Sequence, residues 1–172
     1  MNKTPIVGLG AALVVAGGAF FVTQRSGTEP ASFPTPADQP GAVQASTADG
    51  PVVQVWKSPS CGCCSKWVEH LQAAGFVVQT TEVQDMAAVK ARYGIPGSLQ
   101  SCHTALVDGY LLEGHVPAED IQRLLDDRPE VAGLSVPGMP VGSPGMEVGD
   151  QKQPFDVLTF TGDGQTAVYA KH

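Results

Sequence analysis

The chain has 172 residues, enough for one modest domain with additional segments and too few for two full-sized domains. Its 17 acidic residues outnumber its 10 basic ones, and the resulting formal charge of −7 argues against binding to nucleic acid. Glycine and proline concentrate in residues 26–51 and 133–149, which we therefore expect to be linker and loop.

The N-terminal segment predicts export. After Lys3, the run Ile6–Val22 carries no charged side chain, which is typical of a signal peptide or a short membrane anchor. Positive charge precedes the run and acidic residues dominate after Arg25, so an anchor in residues 1–24 is favoured over a cleaved signal sequence, and both stay open. Residues 25–51 are rich in Pro, Ala, Ser and Thr and should form a flexible linker. We expect a periplasmic domain tethered to the inner membrane, or one that is secreted after cleavage.

The folded domain is expected to span residues 52–172. Its first part predicts strand, helix, strand, helix, and then two strands and a helix. The predicted strands span 52–56, 76–83, 104–107 and 110–113. The predicted helices run from the cysteine cluster to Gly75, over 85–93, and between Pro117 and Pro129. Asp108-Gly109 is a strong signal for a tight turn between the two later strands. This order predicts an α/β domain with a thioredoxin-like fold, a small mixed sheet flanked by helices.

A C-terminal extension is expected beyond this core. It consists of a Gly/Pro loop and a second hairpin, with strands at 155–160 and 166–169 joined by Gly162-Asp163-Gly164. We interpret the extension as an addition to the thioredoxin-like domain.

The segment Cys61-Gly62-Cys63-Cys64 lies between the first strand and the first helix. The positive end of a helix dipole stabilises thiolate, and Cys61-x-x-Cys64 has the spacing of a redox pair with Cys61 as nucleophile and Cys64 as resolving thiol. Cys63 is rotated by about 100° from Cys64 on a helix, so three sulfurs would fan out around the terminus. Such a fan favours a soft metal ion, and the spacing and the exported location favour Cu(I) over zinc or an iron–sulfur cluster.

The fourth cysteine, Cys102, directly precedes the third predicted strand. In a thioredoxin-like fold this junction lies beside the N-terminus of the first helix, so Cys102 could complete a four-sulfur site. The alternative is that the four cysteines of an exported protein form two structural disulfides.

Further candidate ligands are two methionines and two histidines. Met139 and Met146 each end a Pro-Gly-Met segment, and their thioethers are soft ligands suited to Cu(I), although methionine also fills gaps beneath loops. His103 follows Cys102, and His115 lies on the other side of the predicted hairpin. Each histidine has the alternative of a surface or packing role.

Four segments together resemble a bacterial family of exported metal-binding proteins that includes the CopG-type copper-resistance proteins. They are WKSPSCGCC at 56–64, SCHT at 101–104, EGHVP at 113–117, and VPGMP with GSPGME at 136–140 and 142–147. The resemblance covers roughly Val52 to His172. It implies a periplasmic thioredoxin-like domain that binds copper and takes part in copper tolerance. It also implies that the cluster cysteines Cys61, Cys63 and Cys64 are copper ligands, supported by Cys102, Met139, Met146 and the motif histidines.

Three functions follow as hypotheses. The leading one is a Cu(I)-binding protein that sequesters, relays or changes the oxidation state of copper, with copper ions and other periplasmic copper-handling proteins as partners. The second is a thiol–disulfide oxidoreductase acting on exported proteins through Cys61 and Cys64. The third is an adaptor stapled by disulfides.

Overall fold

A computed structural model describes residues 50–172 as one mixed β-sheet with helices packed on it. The strands are β1 (Val52–Lys57), β2 (Val77–Glu82), β3 (Thr104–Val107), β4 (Tyr110–Glu113), β5 (Gly133–Ser135), β6 (Asp156–Phe160) and β7 (Thr166–Lys171). The α-helices within this range are α1 (Gly62–Ala73), α2 (Met86–Arg92) and α3 (Ala118–Asp127), and a short 3-10 helix spans Gly97–Leu99. The predicted anchor or signal sequence at 1–24, and the predicted linker at 25–51 except its last two residues, lie outside the described residues. Between residues 50 and 172, no helix combines the length and the apolar character needed to cross a membrane.

The seven strands are ordered β2-β1-β3-β4-β5-β6-β7. The pairs β1–β2 and β4–β5 are parallel, and all other neighbouring strands are antiparallel. The predicted α/β class and mixed sheet are therefore confirmed, with element ends that differ from the predictions by at most two residues. The finer assignment to the thioredoxin-like class stays a prediction.

Strand β5 was not predicted, and it changes the interpretation of the C-terminal extension. The predicted hairpin is present as β6 and β7, but β5 pairs with both β4 and β6 and makes the hairpin a continuation of the sheet. A Cβ atom at Gly133 would lie 1.8 Å from the Leu111 carbonyl oxygen, so the close approach of β5 to β4 requires glycine there. The extension thus continues the sheet beyond β4, and β7 is the edge strand on that side.

The hairpin of β3 and β4 sets the position of the later candidate ligands. Asp108 and Gly109 have φ values of 46° and 88°, the left-handed backbone of the predicted two-residue turn. In the resulting register Thr104 pairs with Glu113, and the Gly114 N–H donates to the His103 carbonyl oxygen at 3.1 Å. The residues before β3 and after β4 therefore lie side by side.

Helix α1 is held in place by its buried face. Trp67 and Leu71 are fully buried in the main hydrophobic core, and burial of side chains of this size stabilises the fold by roughly 2–3 kcal/mol each. The Trp67 indole N–H donates to the Val116 carbonyl oxygen at 2.8 Å, and the Ala118 N–H at the start of α3 donates to His70 Nε2 at 3.1 Å. These contacts fix the middle and C-terminal half of α1 against the segment that leads from β4 into α3.

Candidate metal centre

The N-terminus of α1 carries three cysteines, as predicted. Cys61 is the N-cap residue, and its Sγ accepts a hydrogen bond from the Cys64 N–H at 3.4 Å. Cys61 and Cys64 form a disulfide with a Cα–Cα distance of 5.4 Å, and Cys64 is fully buried. Cys63 is a free, half-buried thiol whose Sγ lies 3.5 Å from Cys61 Sγ. All three sulfurs therefore share one face of the helix end.

Cys102 joins this cluster from the segment before β3. The sulfurs of Cys61, Cys63, Cys64 and Cys102 all lie within 4.8 Å of one another. Cys102 is a free thiol like Cys63, so the chain forms one local disulfide and keeps two thiols. The alternative of two structural disulfides is wrong for this structure, because Cys63 and Cys102 are free thiols. The roles of the four cysteines as ligands stay a prediction.

A second group of candidate ligands shares Cys102 with the first. Sγ of Cys102 lies 3.0 Å from His115 Nε2 and 3.3 Å from His103 Nδ1, and the ligand atoms of all three residues lie within 4.8 Å of one another. Both histidines are fully buried. Four sulfurs and two imidazoles thus form one continuous set of soft and borderline donors, with Cys102 at the junction.

The orientation of His115 is set by the loop after β5. His115 Nδ1 lies 2.7 Å from the Pro144 carbonyl oxygen. Because a carbonyl oxygen can only accept, Nδ1 carries the hydrogen, and the neutral ring presents the lone pair of Nε2 to the Cys102 sulfur. Metal-binding histidines are commonly oriented in this way by a carbonyl or carboxylate on the other nitrogen.

Burial keeps the groups around Cys102 uncharged in the metal-free protein. It raises the pKa of the Cys102 thiol to about 12, and the neighbouring Cys63 sulfur adds to the rise. Burial also lowers the pKa of His115, against the opposing effects of the Pro144 carbonyl and the Glu147 carboxylate. A metal ion that binds the Cys102 sulfur must therefore displace its proton, which links metal uptake to proton release.

His103 faces the Cys102 sulfur with Nδ1 at 3.3 Å, and its other ring nitrogen points away from this contact. Its Nε2 is buried and has no hydrogen-bond partner among residues 50–172. The ring packs on Trp67 at a centroid distance of 4.3 Å, and burial, with His115 and Lys90 nearby, holds its pKa well below the usual value. The neutral imidazole that faces Cys102 through Nδ1, together with the four sulfurs, is a donor set suited to copper.

The two candidate methionines lie on a loop that packs against both parts of the cluster. Met146 is half-buried and follows Gly145, whose Cβ, if added, would lie 2.7 Å from the Cys63 carbonyl oxygen. Met139 is 54% exposed and follows Gly138, which accepts a hydrogen bond from the Ser101 hydroxyl through its carbonyl oxygen. The loop therefore brings the backbone at both methionines beside the cysteine segments, and their roles as ligands stay a prediction.

Two features of the centre were missed at the sequence level. One is the orienting carbonyl of Pro144, which carries no sequence signal. The other is a buried ion pair between Lys90 and Glu113 behind Cys102. Its signal is present, because Lys90 falls four residues after Met86 on the apolar stripe of α2, and Glu113 ends the otherwise buried strand β4.

Comparisons with known proteins agree with this arrangement. The family model described as "Protein of unknown function, DUF411" matches residues 99–146, the range that holds Cys102, His103, His115, Met139 and Met146. No curated protein sequence matches the chain. Two solved structures, forms 2 and 1 of a "Copper resistance protein copG", are each 47% identical and cover 72% of this chain. The matches cover 99% and 98% of those proteins, with TM-scores of 0.69 and 0.68. At this identity and coverage, the chain belongs to the family of the copper resistance protein CopG.

Proposed function

We propose that this protein binds Cu(I) in the periplasm and contributes to copper resistance. The observation that carries the proposal is the meeting of four cysteine sulfurs within 4.8 Å, next to two fully buried imidazoles. Thiolate sulfur selects Cu(I), and several sulfurs at one point can bridge more than one ion. The two solved relatives are named as copper resistance proteins, which supports copper as the ion.

The disulfide makes copper binding depend on the redox state. With Cys61 and Cys64 joined, only Cys63 and Cys102 carry free thiols. Two electrons and two protons from a dithiol reductant open the disulfide and double the number of thiol ligands. In the opposite direction, closing it releases two electrons, enough to reduce two Cu(II) ions to Cu(I), with two protons released. The same cysteine pair could therefore link copper binding to a change in its oxidation state.

The thioredoxin-like class and the periplasmic location belong to the same proposal. The strand order β2-β1-β3-β4, with a Cys-x-x-Cys pair at the start of the helix after β1, supports a thioredoxin-like core. The apolar run Ile6–Val22 supports export and tethering to the inner membrane, where other copper-handling proteins would be partners. Cell fractionation tests the location, and recovery in the cytoplasmic fraction would contradict it.

The test of copper binding is a Cu(I) titration of the reduced full-length protein without oxygen. We expect thiolate-to-copper absorption in the near ultraviolet and a defined number of copper ions per chain. Cys63→Ser should lose much of both, because it removes a sulfur that does not belong to the redox pair. Ser65→Ala, on the same helix turn, is the matched control and should bind like the wild type. Full copper stoichiometry in Cys63→Ser would refute the cluster.

Thiol–disulfide exchange is the second candidate function, favoured by one observation. Cys61 and Cys64 form a disulfide at a helix N-terminus, the setting in which thiolates are stabilised. An oxidoreductase of this kind would reduce the disulfides of insulin at a rate that survives Cys63→Ser and a copper chelator. If the protein instead binds copper through these cysteines, the reduction of insulin disulfides should be weak or absent in the metal-loaded protein.

A further inference from the structure

A buried ion pair lies directly behind the cysteine and histidine cluster. Glu113 is fully buried and Lys90 is 5% exposed. The Glu113 carboxylate accepts hydrogen bonds from Lys90 Nζ, from the Thr104 hydroxyl at 2.7 Å and from the Ser101 N–H at 2.6 Å. Lys90 Nζ also donates to the Thr104 hydroxyl oxygen at 3.2 Å. One carboxylate thus accepts from three donors, one on helix α2 and two in the segment 101–104.

The donors flank the candidate ligands. Ser101 and Thr104 are the residues immediately before and after Cys102 and His103, so both ends of this dipeptide are bound to the Glu113 carboxylate. Ser101 lies outside the strands, and its N–H finds its acceptor in this side chain. The carboxylate therefore restrains the backbone of Cys102 and His103 from both sides.

A charged pair is not needed here for stability alone. Replacing a buried ion pair by apolar residues of similar volume is often neutral for stability, whereas removing one partner leaves a buried charge uncompensated. The particular property of this pair is the number of directed hydrogen bonds that it supplies to the cysteine segment. The positive charge of Lys90 balances the negative charge of the Glu113 carboxylate, so an acceptor of three hydrogen bonds can be buried in the core.

We propose that Glu113, with Lys90 as its counter-charge, is a positioning residue that holds Cys102 against the cysteines of α1. The effect on copper rests on the proposed function. The effect on the distance between thiols does not, because it is a property of the metal-free protein. The two consequences can therefore be measured separately.

Two double variants isolate the hydrogen-bond acceptor from the charge. Lys90→Met with Glu113→Gln removes both charges and keeps a side-chain oxygen for the Ser101 N–H. Lys90→Met with Glu113→Leu removes both charges and the acceptor. Neither leaves an unpaired buried charge, so the comparison between them reports on the acceptor.

The metal-free measurement uses full-length protein in which Cys61→Ser and Cys64→Ser leave two thiols. Diamide takes up the two electrons and two protons released as Cys63 and Cys102 form a disulfide, and the rate is followed by mass spectrometry of quenched samples. We expect the Leu variant to form this disulfide about tenfold more slowly than the Gln variant, the effect of losing one hydrogen bond to a positioning group. Equal rates would overturn the proposal.

A milder variant decides the question if the Leu variant does not fold. Thr104→Val keeps a similar side-chain shape and leaves the Lys90–Glu113 pair in place. It removes the Thr104 hydroxyl, one of the two hydrogen-bond donors to Glu113 that flank Cys102 and His103. We expect disulfide formation to slow by about threefold. An unchanged rate would count against positioning. The control is Asp156→Asn with Lys171→Gln, which removes an exposed ion pair between β6 and β7 and should leave the rate unchanged.

The copper measurement uses the same Lys90 and Glu113 double variants with all four cysteines present. Competition with a bicinchoninate chelator should show about tenfold weaker Cu(I) binding for the Leu variant than for the Gln variant. If the wild type takes up no copper while the diamide rates differ, the proposed function fails and the positioning role stands. If the wild type binds copper and the double variants match in both rate and affinity, the positioning role fails.

Discussion

Gly145 of the Pro-Gly-Met loop lies too close to helix α1 to leave room for a side chain, and replacing it by alanine tests whether that close approach shapes the centre. Gly145 has a φ of 85°, in the left-handed region. A Cβ there would lie 2.7 Å from the Cys63 carbonyl oxygen and 2.8 Å from the Trp67 backbone nitrogen. Both neighbours are backbone atoms of α1, which is held in place by its buried face, so the loop must move away from α1 to accommodate the methyl group.

The structure allows the cost to be divided into two parts. Left-handed backbone costs an alanine about 1–2 kcal/mol, and overpacking against rigid neighbours adds about 1–3 kcal/mol, so Gly145→Ala should lower the free energy of unfolding by about 2–5 kcal/mol. Gly138 provides the matched control, because its φ is 70° and an added Cβ would have no neighbour within 4 Å. Gly138→Ala should therefore cost only the backbone part, about 1–2 kcal/mol.

Thermal unfolding and copper titration together measure the effect. A domain of this size loses about 4 °C in Tm per kcal/mol, so Gly145→Ala should melt well below Gly138→Ala. Gly145→Ala should also weaken Cu(I) binding, because it displaces the backbone next to Met146 and Cys63. If the unfolding free energies of the two variants agree within about 0.5 kcal/mol, the close approach of Gly145 to α1 does not constrain the loop.

Two further predictions concern pH. The unfolding free energy of the metal-free protein with its Cys61–Cys64 disulfide intact should fall as the pH rises from 9.0 to about 12. The reason is that the pKa of Cys102 is raised in the folded state, so the unfolded chain loses this proton first. Urea unfolding of Cys102→Ala should show a shallower fall, and an unchanged slope would contradict the assignment to Cys102. The unfolding free energy should also fall as the pH drops below 6.5. Burial, with His115 and Lys90 nearby, lowers the pKa of His103 in the folded state, so the unfolded chain takes up the proton more readily. His103→Leu should flatten this acid limb in the same experiment, and wild-type and variant curves that stay parallel would refute the role of His103.

Local patterns were sufficient to predict much of the fold and the cysteine segment. The Asp108-Gly109 turn predicted the ends of β3 and β4, because a two-residue turn leaves no freedom in the register of its hairpin. The placement of Cys61 at a helix N-terminus followed from the change from strand to helix pattern. The proximity of Cys102 to that terminus required an assumed fold, and the structure confirms the proximity.

The missed features depend on contacts between distant parts of the chain. Strand β5 has three residues, all buried, and its sequence Gly133-Leu134-Ser135 has no alternation that would predict a strand. The convergence of Ser101 and Thr104 on Glu113 depends on the loop before β3 reaching back to β4. The position of Lys90 on the apolar stripe of a short helix was only a weak indication that its charge is buried. Such pairings are properties of the assembled core, and no short window of sequence contains them.

The distribution of the four cysteines along the chain has a consequence for the order of folding. Cys61 and Cys64 are separated by three positions and can react as soon as one helical turn forms. Cys102 reaches them only after β1 and β3 have paired, with Val53 opposite Val107. Contacts that close long loops form late in folding, so the complete donor set arises only when the sheet is largely assembled. If the proposed copper site is right, a fully loaded centre would mark a chain that has finished folding, whereas a partly folded chain would offer copper only the three sulfurs at the start of α1.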